Sequence, residues 1–175
     1  MQRPTSVTVF GILNIVFAGF GIVGIIGTVV MFSMMDASRN PVVKVMQQSP
    51  AYAAWMKLSL PLGLAATAAL LTAGIGLLRM KPWARKLAIG YAIYAIAFGV
   101  LGTVVNFFFL IRPMLEEASR KQGPEAAAAI GGAIGGTVGG CLGLIYPILL
   151  LIFMTRPKLV AAFHPPIEPP VLPPS

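Results

Sequence analysis

Acidic residues are scarce in this chain: 5 Asp and Glu stand against 13 Lys and Arg, and only 10% of all residues are charged. A globular domain carries about 25%. Cysteine and histidine occur once each, as Cys141 and His164. A lone cysteine excludes an intrachain disulfide, and neither residue has partners at metal-ligand spacing, such as an HExxH motif. Charge is missing altogether from four stretches, residues 7–32, 58–78, 87–111 and 126–155. Each reaches the roughly 20 residues that a helix needs to cross about 30 Å of hydrocarbon. A soluble chain of 175 residues could not hide so much continuous apolar sequence from water.

What is present fits that reading. Hydrophobic residues make up 57% of the chain, and the mean hydropathy is +0.86. The charged residues fall between the apolar stretches or at the ends. The sequence therefore predicts an all-α membrane protein, with four transmembrane helices in an up-down-up-down bundle over residues 1–163. A proline-rich cytoplasmic tail, residues 164–175, should be extended or polyproline II. No loop is long enough for a soluble domain of about 50 residues. The opening, Arg3 followed by an apolar run, is too long for the 7–15 residues of a secretory h-region, and we expect it to remain as the first span. The formal charge of +8 is read as basic residues bordering the spans rather than as a nucleic-acid footprint.

Turn chemistry places the helix ends. Pro4 with Thr5 or Ser6 opens the first helix, and Asn40 with Pro41 marks a turn. Ser49 followed by Pro50 starts the second helix, which would set Tyr52 and Trp55 at the membrane interface and carry Pro61 inside it. Residues 79–81 form a very short turn before Pro82, so the second and third spans must be antiparallel neighbours. Arg112 and Pro113 mark the border of the third span, and a kinked polar helix should follow, ended by Gly123.

An even number of spans puts both termini on one side. That side holds Arg3, Arg79, Lys81, Arg85, Lys86, Arg156 and Lys158, with Glu168. The other holds Arg39, Lys44, Lys57, Arg112, Arg120 and Lys121, with Asp36, Glu116, Glu117 and Glu125. Four basic residues crowd into residues 79–86, directly at span ends, where they weigh most. The expected orientation is both termini and this turn in the cytoplasm. Trp83 among Arg79, Lys81, Arg85 and Lys86 also makes a candidate surface for lipid headgroups.

The fourth span carries the strongest pattern. Gly131, Gly135, Gly139 and Gly143 recur every four residues, and Gly132, Gly136 and Gly140 form a second row beside them. Small residues let helix backbones approach closely in lipid. One row is expected to pack inside the bundle, with the second available to a dimer. The other spans offer small faces of their own: Gly11, Gly19, Gly21, Gly24 and Gly27 in the first, Ala65, Ala69 and Ala73 in the second, Ala95, Gly99 and Thr103 in the third. Cys141 reads as a small buried residue among the glycines. Asn14 and Asn106 are amides within spans, at different depths. Each either lines a polar path or, as we expect, bonds to a neighbouring helix. Core packing is expected of Tyr94 and Tyr146.

No Asp, Glu, His, Lys or Arg lies within the four uncharged stretches, so neither intramembrane acid–base catalysis nor proton-coupled transport has its usual residues. No enzyme activity and no cofactor is expected. Three stretches, RPTSVTVFGILNIVFAGFG, GLLRMKPWARKLAIGYAIYAI and YPILLLIFMTRPKLVAAF, together resemble small bacterial four-span membrane proteins. That resemblance implies a multi-pass protein of the bacterial inner membrane and brings no activity or site residue with it. Two functional readings follow. One is a non-enzymatic accessory, scaffold or partner-binding protein that works by helix–helix contact with a second copy or another membrane protein. The other is a small oligomeric channel or transporter.

Overall fold

The computed structural model describes residues 5–34, 41–120 and 124–157. Pro4, the turn residue Asn40, the helix stop Gly123, His164 and the proline-rich segment 164–175 lie outside the described residues. So do Arg3, Asp36, Arg39, Lys121, Lys158 and Glu168. The chain is all-α. Helices run as α1 (Thr5–Met34), α2 (Pro41–Gln48), α3 (Pro50–Leu78), α4 (Pro82–Asn106), a π-helical turn (Phe107–Ile111), α5 (Arg112–Arg120) and α6 (Pro124–Thr155). Four segments are long and apolar enough to cross a membrane: Thr5–Val30, Pro50–Leu78, Pro82–Glu116 and Ile130–Thr155. This is a multi-pass membrane protein.

Local chemistry explains the boundaries. Ser49 has extended backbone, its Oγ accepts from the Tyr52 N–H at 3.3 Å, and Pro50 follows as the first helical residue. This spends one of the unpaired donors at the helix start. The α3–α4 turn is a Schellman motif: the Met80 N–H donates to Leu77 O at 3.0 Å and the Lys81 N–H to Gly76 O at 2.9 Å. Met80 takes φ 53°, a left-handed position usually given to glycine, and its side chain packs against the core. α4 does not stop at the border of its span. Pro113 has no N–H for Phe109 and its ring crowds that carbonyl. The ladder widens by one residue just ahead of it, with the Arg112 N–H donating to Phe107 O, and the helix then continues as α5.

The spans alternate in direction. Phe10 near the start of α1 meets Phe153 near the end of α6, with ring centroids 4.9 Å apart. Gly76 near the end of α3 faces Ala84 near the start of α4. Packing runs α1 on α3, α3 on α4 and α4 on α6. Aromatic contacts of Phe10 and Phe17 with α6 close the ring.

The core is concentrated at the end that carries the α3–α4 turn. Val7, Leu77, Ala84, Ala88, Leu150 and Met154 are all buried there. Ala84, Ala88 and Ala92 fall every four residues and give α4 a flat inner face. Backbones come close where α1 crosses α3. A Cβ on Gly74 would stand 2.9 Å from Gly11 O, Asn14 Cβ and Ile15 Cγ1. With side chains at Gly11 and Gly74 the two helices could not come this close. Cys141 is exposed rather than buried. It lies on the lipid-facing side of α6, beside the exposed Val138, Leu142 and Ile145.

Gly74→Val should therefore force α1 off α3. Overpacking of this kind costs about 1–3 kcal/mol. The measurement is thermal unfolding in detergent, with a clear loss for Gly74→Val. Gly24→Ala should leave the midpoint unchanged or raise it, since a Cβ there meets nothing within 4 Å.

Candidate functional site

The opposite half of the bundle is loosely filled. A cavity of about 530 Å³ lies between α3, α4, the π turn and α6. Its cause is a meeting of two small faces. α6 offers Gly132, Gly136, Gly139, Gly140 and Gly143, and α4 answers with Ala95, Gly99, Gly102 and Thr103. Neither helix supplies enough side chain to fill the gap. The helices do touch at Leu144, which lies against Gly99, where a Cβ would come within 2.7 Å of Leu144 Cδ2.

The α6 glycines are consequently not buried against a neighbouring helix as one of their rows was expected to be. A Cβ added at Gly131, Gly135, Gly136, Gly139 or Gly143 would meet nothing within 4 Å. Only two positions have company: Gly132, 3.7 Å from Met114 Cε, and Gly140, 3.3 Å from Thr103 Oγ1. The second row thus lines the cavity wall. Gly131 and Gly135, from the first row, lie exposed beside it.

Aromatic and polar groups frame this cavity. Trp55 stacks on Phe98 with centroids 4.9 Å apart, and Phe98 on Tyr94 at 5.4 Å. Asn106 has both functions engaged: Oδ1 accepts from the Tyr52 hydroxyl at 3.0 Å, and Nδ2 donates to Gly102 O at 2.9 Å. Tyr52 was expected at the interface beside Trp55. Its side chain is buried inside the bundle, stacked on Phe109 of the π turn. The hydroxyls of Ser59, Thr103 and Thr137 donate to carbonyls of their own helices. Their protons are spent, so these three oxygens face the cavity mainly as acceptors.

Asn14 belongs to the tight half. It is fully buried, the Tyr146 hydroxyl donates to its Oδ1, and Phe17 lies on the Tyr146 ring. Asn14 Nδ2 and the Tyr94 hydroxyl have no hydrogen-bond partner among the described residues. The two asparagines never meet; each ties its own helix to another. The Asn14–Tyr146 pair was missed from the sequence, yet a signal existed. Asn14 lies nine residues after the first residue of α1 and Tyr146 nine before the last of α6, so antiparallel spans set them at one depth. Gly74 was missed as well, because it belongs to no four-residue row.

The basic turn gathers on the tight end. Trp83 is exposed and covers Gly76 with its ring edge. Arg85 Nε donates to Met154 O at 2.9 Å, and the Arg156 guanidinium lies 4.5 Å over the Phe153 ring. Arg79, Lys81 and Lys86 are exposed. Among the described residues no three His, Cys, Asp or Glu side chains converge as metal ligands would.

Tyr146→Phe removes the one bond that Asn14 makes in the described chain. The expected loss is about 0.6–2 kcal/mol, the range found for polar contacts between membrane helices. Unfolding in detergent should show it, and the double change Asn14→Leu with Tyr146→Phe should cost less than the sum of its parts.

Compared with known proteins, the chain matches no family model, no curated protein and no solved structure.

Proposed function

We propose that this is a non-enzymatic membrane protein that works by lateral helix–helix contact, with the glycine-lined side of α6 as its contact surface. One observation carries the reading. Glycines at the α1–α3 crossing are used up by close packing inside the chain, whereas five of the seven on α6 have no neighbour within 4 Å of where a Cβ would stand. Glycine in a helix interior costs about 0.5–1 kcal/mol relative to alanine. A surface that bears this cost at seven positions, beside an unfilled cavity, suits the side chains of an incoming helix. A second copy of the chain is the simplest occupant, and another membrane protein is the alternative.

The competing reading is a small oligomeric channel or transporter. What favours it is the set of oxygens on the cavity wall, from Ser59, Thr103 and Thr137, beside Asn106. Flux in liposomes that is lost on Asn106→Leu would support transport over contact.

The location proposed is a bacterial inner membrane, as the resemblance implies, with both termini cytoplasmic. Arg79, Lys81, Arg85, Lys86 and Arg156 at one end support that orientation. Glu116, Glu117 and Glu125 belong to the other end, in α5 and the first turn of α6. In a Cys141→Ala background, Ser119→Cys should label from outside the cell and Lys81→Cys only from within.

Two differently tagged copies should co-purify from the native membrane. Gly135→Leu and Gly139→Leu should reduce that recovery to background while leaving thermal stability unchanged or higher, because each new side chain enters open space. Unchanged recovery for both variants would remove α6 as the contact surface.

A further inference from the structure

A second, smaller groove of about 270 Å³ runs along the α3–α4 hairpin. Leu62, Ala65 and Ala69 form its α3 wall, and Leu87, Gly90 and Tyr91 its α4 wall. No charged residue lines it. Gly90 leaves a true opening, since a Cβ there would meet nothing within 4 Å. The groove spans about 10 Å along α4, from Leu87 to Tyr94, at 1.5 Å per residue. That is the length of part of one hydrocarbon chain.

The register of both helices leads from this groove to the basic turn. On α4, Lys86 precedes Gly90 by one turn on the same face, about 6 Å along the axis, and Trp83 precedes Lys86 by another. On α3, Ala65, Thr72 and the C-cap Arg79 follow one another at sevens, so Arg79 stands on the same side, about 15 Å along from Ala69. Arg85 and Arg156 at this end are engaged, with Met154 O and the Phe153 ring. Arg79, Lys81 and Lys86 are exposed, and the one ion pair among the described residues, Arg112 with Glu116, belongs to the other end of the bundle. Positive charge with no ion-pair partner among the described residues therefore stands between the groove and the α3–α4 turn.

We propose that this hairpin holds one anionic phospholipid, with its phosphate on Lys86 and Arg79 and one acyl chain in the groove below. A zwitterionic lipid would fill the groove and bring a phosphate, but its ammonium would set a further positive charge beside Lys86 and Arg79 and weaken the pairing. Free phosphate would meet the cations and leave the groove empty. Only a molecule with both parts, joined in this order, satisfies the whole surface.

The test uses the full-length protein, delipidated in a neutral detergent and titrated with phosphatidylglycerol, phosphatidylcholine or inorganic phosphate. Native mass spectrometry reads bound lipid, and the thermal midpoint reads stabilisation. Phosphatidylglycerol should bind at one per chain and raise the midpoint, with phosphatidylcholine more than about ten-fold weaker and phosphate alone without effect. Lys86→Gln, at an exposed position, should weaken phosphatidylglycerol about five-fold. Gly90→Leu should fill the groove and abolish retention, with the lipid-free midpoint unchanged or higher. The proposal is overturned by equal retention of the two lipids, or by stabilisation with phosphate alone. Full retention in Gly90→Leu, or in Lys86→Gln should Gly90→Leu not fold, overturns it equally.

Discussion

A backbone inside hydrocarbon has no water to bond, so each of its N–H and C=O groups must find a partner within the protein. Helices solve this for themselves, and the remaining problem is how to hold four of them together. Lipid tails are as apolar as leucine side chains, so burial of apolar surface contributes little between spans. What remains is close van der Waals approach and a few polar bonds. Both occur where α1 crosses α3 and α6. Gly11 and Gly74 let two backbones touch, and the buried Asn14 one turn away bonds to Tyr146. The tight half of the bundle is organised around this crossing, and the α4 alanines complete it.

The spans and their order were legible because hydrocarbon imposes so coarse a requirement: length, apolarity and no charge. Pro50, Pro82 and the turn at residues 79–81 were legible because proline and short loops have few solutions. The interior was harder. Seven glycines at four-residue spacing looked like the principal contact, whereas Gly74, in no such row, is where the backbone of another helix comes within 2.9 Å of a would-be Cβ. Periodicity shows which residues share a face and not what stands opposite. Small residues on α6 met small residues on α4, and a gap resulted where one large partner would have given contact. Tyr52 is similar. Its amphipathic ring suits the interface by type, but residue type does not reveal that Asn106 on α4 supplies its acceptor. The π turn was also hidden, because Pro113 announces a conflict with the ladder without saying how it is resolved.

The two open regions differ in chemistry. The larger one has aromatic walls and a set of oxygens whose protons are already committed. It lies in the half of the bundle with the fewest buried side chains. The smaller one is lined by apolar surface and begins one turn from the exposed Lys86. One is shaped for side chains arriving from another helix, the other for a slender amphiphile. Both exist because alanine and glycine on adjoining helices leave room that leucine would have taken.

The bond from Arg85 to the Met154 carbonyl couples distant parts of the chain at the end of α6, where helix carbonyls run out of internal donors. Arg85 is made and threaded well before Met154 leaves the ribosome. The final span thus arrives in a bilayer where the guanidinium that completes its terminus is already in place. Biogenesis then has a direction built into it: the earlier hairpin is a template, and the last helix docks onto a finished seat.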